Sequence, residues 1–242
     1  MGVVAGPETM MGIAQALTRL CPDDAFGALD VINAFGEISR AEVLEEIVHD
    51  VPEIAPFLLQ LWGENGTPIY IANGNDSWTT ISLMDGLFQG HNLSSLLFCM
   101  NLKRALRRFH QNCDLHLLPC TERMHLEYID DLLLKMRSNA VHRVMPLLEA
   151  ALLTINLRLN RTKCKFFIPS AAEGDRCDSV VESGFVQVYG GLELLGGALD
   201  GQFCTNLSGQ PGFLASASYK RLEKAEKLSE EIISLLFVKT EL

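Results

Sequence analysis

Apolar residues recur every three to four positions in some stretches of this chain and every second position in others, which marks out its elements. Residues 7–20 put Met10, Ile13, Leu17 and Leu20 at helical spacing and predict an amphipathic helix, ended by Pro22 and the Asp23-Asp24 pair. Residues 28–31 read as a short apolar strand carrying Asp30 near its end. Ser39-Arg40-Ala41-Glu42 is a capping box, in which serine and glutamate satisfy each other's backbone N–H groups, and it opens a helix with Val43, Leu44 and Ile47 on one face. Pro52 opens another helix through Phe57, Leu58, Leu61 and Trp62. Residues 63–66 form a turn, and residues 67–84 read as a hairpin turning at Asn73-Gly74.

Further along, residues 93–109 predict a helix that is apolar first and then basic, with Lys103, Arg104, Arg107 and Arg108. Residues 124–136 read as two strands around a tight turn at Asp130-Asp131. A helix over 139–156, a strand over 163–168, a polar loop over 170–184 and a hairpin over 186–199 follow. A long helix over 219–237 closes the chain, with Leu222, Ala225, Leu228, Ile232 and Leu236 as its apolar stripe. This order is mixed α/β with no repeat. It predicts one domain over residues 1–205 and a helical appendage over 206–242.

Composition narrows the class. The 242 residues are 48% hydrophobic, enough to bury a core. No apolar run approaches the ~20 residues that span a bilayer, and the N-terminus lacks the basic and apolar regions of a signal peptide. The 7 cysteines contain no C-x-x-C pair, which fits free thiols in a reducing, intracellular compartment; nucleus and cytoplasm are not distinguished. The net charge of −10 argues against nucleic acid at first sight, but the charge is segregated. Residues 1–95 carry 2 basic and 13 acidic side chains, whereas residues 96–166 carry 12 basic and 6 acidic. A basic middle can present a positive groove.

The densest chemistry is Tyr128-Ile129-Asp130-Asp131-Leu132, where a turn between apolar strands lifts two carboxylates to one sheet edge. Were the strand bearing Asp30 a neighbour, Asp30 and Asp130 would converge with Asp131 beside them. Oxygen ligands without histidine favour Mg²⁺ or Mn²⁺. Two such ions form the clamp used for in-line phosphoryl transfer. For the dipeptide alone, a solvated turn is the plainer reading.

The ordered series of motifs changes the balance. Leu29 to Phe35 contains an Asp followed by Asn-Ala-Phe, with Ser39-Arg40 just beyond it. Gly86-Leu87-Phe88-Gln89-Gly90-His91-Asn92-Leu93-Ser94 precedes the Tyr-x-Asp-Asp box at Tyr128, then Leu159-Asn160-Arg161-Thr162-Lys163-Cys164, then Leu195-Gly196. These five blocks, spanning roughly residues 6–200, resemble in content and order those of the reverse transcriptases of non-LTR retrotransposons. The resemblance implies a polymerase palm: an antiparallel sheet with helices packed on one face, β-α-β-β-α-β in outline, with a ferredoxin-like core. It implies RNA-directed DNA polymerase activity with an RNA template, a DNA primer, deoxynucleoside triphosphates and two Mg²⁺ or Mn²⁺ ions.

Carried over by position, the resemblance gives Asp30 and Asp130 as metal ligands, the Val31 carbonyl as a further ligand, and Asp131 as their support. Phe35 falls where the family excludes the 2′-hydroxyl of an incoming sugar. Gln89 and Gly90 fall where it contacts the nascent base pair, and Lys163 lies near the triphosphate as a general acid. The basic positions at 103, 104, 107 and 108 read either as phosphate contacts or as a solvated helix end.

The sequence departs from that pattern at His91, Asn92 and Ser95, where the family has Asp, Pro and Pro, so a looser loop is expected. Asp30 lies 29 residues into the chain and about 40 residues follow the last block. The expectation is therefore a palm with partial fingers and a thumb remnant over 206–242, with other chains supplying the remainder. A competing expectation is a vestigial palm that binds nucleic acid or protein without polymerising. The His110-x₂-Cys113-x₂-His116-x₃-Cys120 spacing suggests zinc, against which Leu115, Leu117 and Leu118 read as core.

Overall fold

The computed structural model describes residues 6–74, 76–115, 123–195 and 197–199. Its elements, in order, are α1 (Gly6–Leu20), β1 (Asp24–Leu29), α2 (Ala34–Glu37), α3 (Arg40–Asp50), α4 (Ala55–Trp62), β2 (Thr67–Ala72), β3 (Trp78–Leu83) and α5 (Ser94–Leu115). They continue with β4 (Arg123–Tyr128), β5 (Asp131–Arg137), α6 (Val141–Leu153), β6 (Lys165–Phe167), α7 (Asp178–Glu182), β7 (Val186–Val188), β8 (Glu193–Leu194) and β9 (Gly197–Ala198). Five strands form the main sheet in the order β4-β5-β1-β6-β7, while β2-β3 and β8-β9 are separate hairpins. The path β1-α5-β4-β5-α6-β6 is the expected β-α-β-β-α-β, with α2 to β3 inserted after the first strand.

Alternation along the strands divides the interior in two. Ala25, Leu29, Leu132, Leu134, Met136 and Phe166 face α3, α5 and α6, forming the larger core with Phe98, Leu106, Phe109, Val144 and Leu148. Phe26, Leu133 and Phe167 point the other way, toward Met10 and Ala14 of α1 and toward Leu192, Leu194 and Leu199. The crossover helices thus cover one face, and α1 with the β8 region covers part of the other. Gly27 makes room in the larger core, since a Cβ there would stand 2.6 Å from the Phe166 ring.

Several expectations shift. The stripe of α1 is rotated: Met10 and Ala14 are buried while Ile13 and Leu20 are exposed, because the helix lies on only a narrow part of the sheet. The strand expected at 28–31 runs Asp24–Leu29, paired on both sides. The loop expected over 170–184 contains α7. The hairpin expected over 186–199 divides: β7 adds parallel to β6, and only β8-β9 closes as a hairpin. The basic face of α5 is partly committed within the protein, since Arg104 reaches Glu42 (3.3 Å), Glu45 (2.7 Å) and Glu46 (3.5 Å) and so ties α5 to α3. Arg107 also meets Glu46, at 3.9 Å. The helix expected over 219–237 and the His116 and Cys120 positions lie outside the described residues, as does the boundary at 205/206. Among the described residues no helix is long and apolar enough to cross a membrane.

Two polar features of the core carry a cost. Asn101 of α5 is fully buried, and neither its Oδ1 nor its Nδ2 has a hydrogen-bond partner among the described residues. His125 of β4 lies 2.7 Å from His110 of α5, and burial together with the neighbouring imidazole pushes its pKa down to about 4. Asn101→Leu, similar in volume and free of unpaired atoms, is expected to stabilise the fold by about 1–3 kcal/mol, read as a raised denaturation midpoint. The unfolded chain takes up a proton at His125 near pH 6.5, whereas the folded chain resists until about 4, so stability drops as pH falls through that window. His125→Phe is expected to flatten that part of the stability–pH curve.

Candidate active site

The antiparallel register of β1 and β5 sets Leu29 opposite Leu132, so the residues just beyond, Asp30 and Asp131, emerge at the same sheet edge. Tyr128 pairs with Asp131, leaving Ile129 and Asp130 as the two-residue turn between β4 and β5. Ile129 has φ 57°, the left-handed region that a β-branched side chain rarely adopts. Such backbone strain persists only where neighbours enforce it. Here the sheet ladder fixes both strands and the half-buried Ile129 side chain packs on the larger core.

The second carrier is the segment at 158–164. Its Arg158 carbonyl accepts the Ile32 N–H (2.9 Å), and its Asn160 N–H donates to the Asp30 carbonyl (2.8 Å), forming a bridge between Val31 and Leu159. Neither bond uses the Val31 carbonyl. The buried Cys164 sulfur accepts the Asp30 N–H at 3.4 Å. The Lys163 and Cys164 N–H groups return to the Asn160 carbonyl, turning the chain so that the Lys163 Nζ stands 3.8 Å from an Asp30 carboxylate oxygen. That pair is largely exposed and adds little stability.

A cleft of about 210 Å³ opens at this edge, lined by Asp30, Val31, Asp130, Asp131, Lys163, Lys165 and Glu193, with Leu194 and Leu195 of the β8-β9 hairpin closing one side. The structure therefore brings together Asp30, Val31, Asp130, Asp131 and Lys163. Phe35 lies outside that lining, stacked on Phe98 at 4.8 Å between ring centroids. Gln89 and Gly90 are exposed on the loop that follows Leu87. Leu87 donates its N–H to the Phe35 carbonyl (2.6 Å), so this loop neighbours Phe35. Gly86, at φ 80°, makes that approach possible: a Cβ there would run into the Gly36 carbonyl oxygen. His91 accepts the Leu93 N–H on its Nδ1 (3.3 Å), giving the loop a lock where the family has Asp and Pro.

Lys165 and Glu193 were missed from sequence. Lys165 had a signal, since two residues after Lys163 is the same side of a strand; Glu193 had none, because the hairpin reaches the cleft only through tertiary packing.

Electrostatics set this edge apart. The Asp131 carboxyl is held above its usual range, first by partial desolvation and then by the charges of Asp130 and Asp30. The donors are oxygens, the class preferred by Mg²⁺ and Mn²⁺, and a divalent cation would relieve their mutual repulsion. Asp30, Asp130, Asp131 and the Val31 carbonyl suit such an ion in kind. Among the described residues, however, no three His, Cys, Asp or Glu side chains are gathered closely enough to hold one.

Comparison with known proteins decides the family. The profile described as reverse transcriptase (RNA-dependent DNA polymerase) matches residues 4–199. The chain belongs to the reverse transcriptase family. Its fold is shared with solved telomerase structures from Candida tropicalis. The apo enzyme matches at 12% identity with a TM-score of 0.56, covering 86% of this chain and 38% of that one. A form truncated from its C-terminal domain matches at 12% identity with a TM-score of 0.53, covering 78% of this chain and 37% of that one. This reverse transcriptase domain thus spans little more than a third of the telomerase chains it matches. No curated protein matches it.

A carboxylate whose folded-state pKa is raised destabilises the fold once it ionises. Asp131→Asn is therefore expected to raise the melting temperature in metal-free buffer at pH 7. The gain should shrink as pH falls through the raised pKa and vanish below 3.8, the ordinary value. Thermal melts across pH check this.

Proposed function

We propose that this chain is the palm of an RNA-directed DNA polymerase of the non-LTR retrotransposon type, joining a primer 3′-hydroxyl to a deoxynucleoside triphosphate on an RNA template. The observation that carries it is that Asp30, Asp130, Asp131 and Lys163 line one cleft of a reverse transcriptase fold. The match to the reverse transcriptase profile over residues 4–199 contains this palm.

The carboxylates of Asp30, Asp130 and Asp131 and the Val31 carbonyl are the groups that would hold Mg²⁺ or Mn²⁺, two ions in this reading. Bound there, such ions lower the pKa of the attacking hydroxyl and neutralise charge on the triphosphate. Asp131 supports the other two carboxylates. Lys163, held beside Asp30, supplies the proton that departing pyrophosphate takes up as the 3′-oxygen–phosphorus bond forms and the bond to pyrophosphate breaks. Phe35 excludes a 2′-hydroxyl, and Gln89 and Gly90 lie along the nascent base pair.

A second reading draws on the ungathered carboxylates: a palm that binds nucleic acid or protein without polymerising. Primer extension on an RNA template, in Mg²⁺ and then Mn²⁺, separates the two. The polymerase reading expects extension that Asp30→Ala or Asp130→Ala lowers by about 10³-fold, equivalent to several kcal/mol of transition-state stabilisation. Lys163→Met is expected to cost about 10²-fold, the scale of a lost general acid. A folded chain that extends no primer in either ion, or an Asp130→Ala variant that extends as well as the parent, would overturn it.

A further inference from the structure

Arg40 is the least expected charge in the fold. It opens α3, yet it is only 5% exposed, sitting under the β2-β3 hairpin. Its Nε donates to the Gly86 carbonyl (2.8 Å), and its Nη1 donates to the Leu83 carbonyl (2.9 Å) and the Thr67 hydroxyl (3.0 Å). The guanidinium stands 5.3 Å from the centre of the Trp62 ring. Its Nη2 is buried with no hydrogen-bond partner among the described residues. The neighbouring carboxylate, Asp85, takes a hydrogen bond from the Arg40 backbone N–H (3.1 Å).

Burying a guanidinium mainly against carbonyl dipoles is a poor route to stability, since apolar side chains of similar size do as well or better. What the planar fork does here is fix three segments at once: β2 through Thr67, β3 through Leu83, and the following strip through Gly86. That strip is stitched to the Phe35 region by two further bonds, Gly86 N–H to the Ile38 carbonyl (3.0 Å) and Leu87 N–H to the Phe35 carbonyl (2.6 Å). Gln89 and Gly90 follow two and three residues after Leu87. Their separation from Phe35 is therefore set from behind, by the arginine that grips Gly86.

We propose that Arg40 is a positioning residue that fixes the gap between the Phe35 ring and the Gln89–Gly90 loop, and so sets how strongly the site discriminates deoxyribo- from ribonucleotides. The discrimination half rests on the nucleotide site argued above. The tether half stands on the hydrogen bonds alone.

The test compares the full chain with Arg40→Met, Arg40→Lys and the milder Thr67→Val, which keeps the guanidinium and removes one acceptor. Circular dichroism and melting first identify the variants that fold. Hydrogen exchange then reads the Leu87 amide against Leu133 in the middle of β5. The expectation is faster exchange at Leu87 in Arg40→Met, a smaller change in Arg40→Lys and Thr67→Val, and no change at Leu133. Calorimetric titration with dATP and with ATP, in Mg²⁺, reads the preference between the two sugars. A displaced positioning group readily costs one to two orders of magnitude, so Arg40→Met is expected to narrow the preference for dATP about tenfold.

Unchanged Leu87 protection in a folded Arg40 variant overturns the tether. Loss of that protection with an unchanged dATP-to-ATP preference reduces Arg40 to a structural role and overturns the positioning claim. Should neither nucleotide bind the parent chain, the nucleotide site itself falls and the discrimination half falls with it, while Leu87 exchange still decides the tether.

Discussion

The register of β1 against β5 is the constraint on which everything else rests. From Asp24 opposite Arg137 to Leu29 opposite Leu132, each pair assigns a side chain to one of two cores. A slip of one residue would turn Leu132, Leu134 and Met136 out of the larger core and Leu133 into it. It would also move Asp30 along the sheet edge by about 3.3 Å, separating it from the 130–131 carboxylates. The register has its own locks. Gly27 accepts the Phe166 ring where any larger residue would collide, and Asp24 meets the mostly buried Lys135 Nζ at 2.5 Å at the far end of the pair.

The sheet edge that this register creates is costly. Ile129 is held in a left-handed turn, the Asp131 carboxyl is held above its usual range by desolvation and then by Asp130 and Asp30, and the Lys163–Asp30 ion pair is loose and exposed. None of these serves stability. They persist because the strand ladders, the two cores and the 158–164 segment over-determine the geometry. That is the pattern expected where a site is arranged for chemistry.

Much of this was legible in the residues. The carboxylates, Lys163 and the order of blocks could be read because they are local strings. Half of the capping box is equally local: the Ser39 hydroxyl accepts the Glu42 N–H, whereas the Ser39 N–H donates to the Ile155 carbonyl instead of to the Glu42 side chain. The Asn73-Gly74 turn likewise joins β2 and β3 in the expected place. What sequence could not show is decided between distant segments. Periodicity cannot say that β7 adds to β6 rather than folding back, that α1 turns Ile13 outward, or that Glu193 reaches the cleft. The basic run on α5 reads from sequence as a surface for phosphate or as a solvated helix end, yet Arg104 is matched to three glutamates on α3. A charge pattern on one element says nothing of the opposite charges packed against it.

The bonds between residues 30–32 and 158–164 carry one more consequence. Asp30 and Lys163 ride on a single stitched unit, whereas Asp130 and Asp131 ride on the tip of the β4-β5 hairpin. The acidic residues are thus shared between two carriers joined through the β1-β5 ladder. Bending of the hairpin tip would change the distance between carboxylates, and the Ile129 side chain packed on the larger core resists it. A cation that bridges the two carriers would act as a rivet across that joint, so that ion capture and stiffening of the tip become one event.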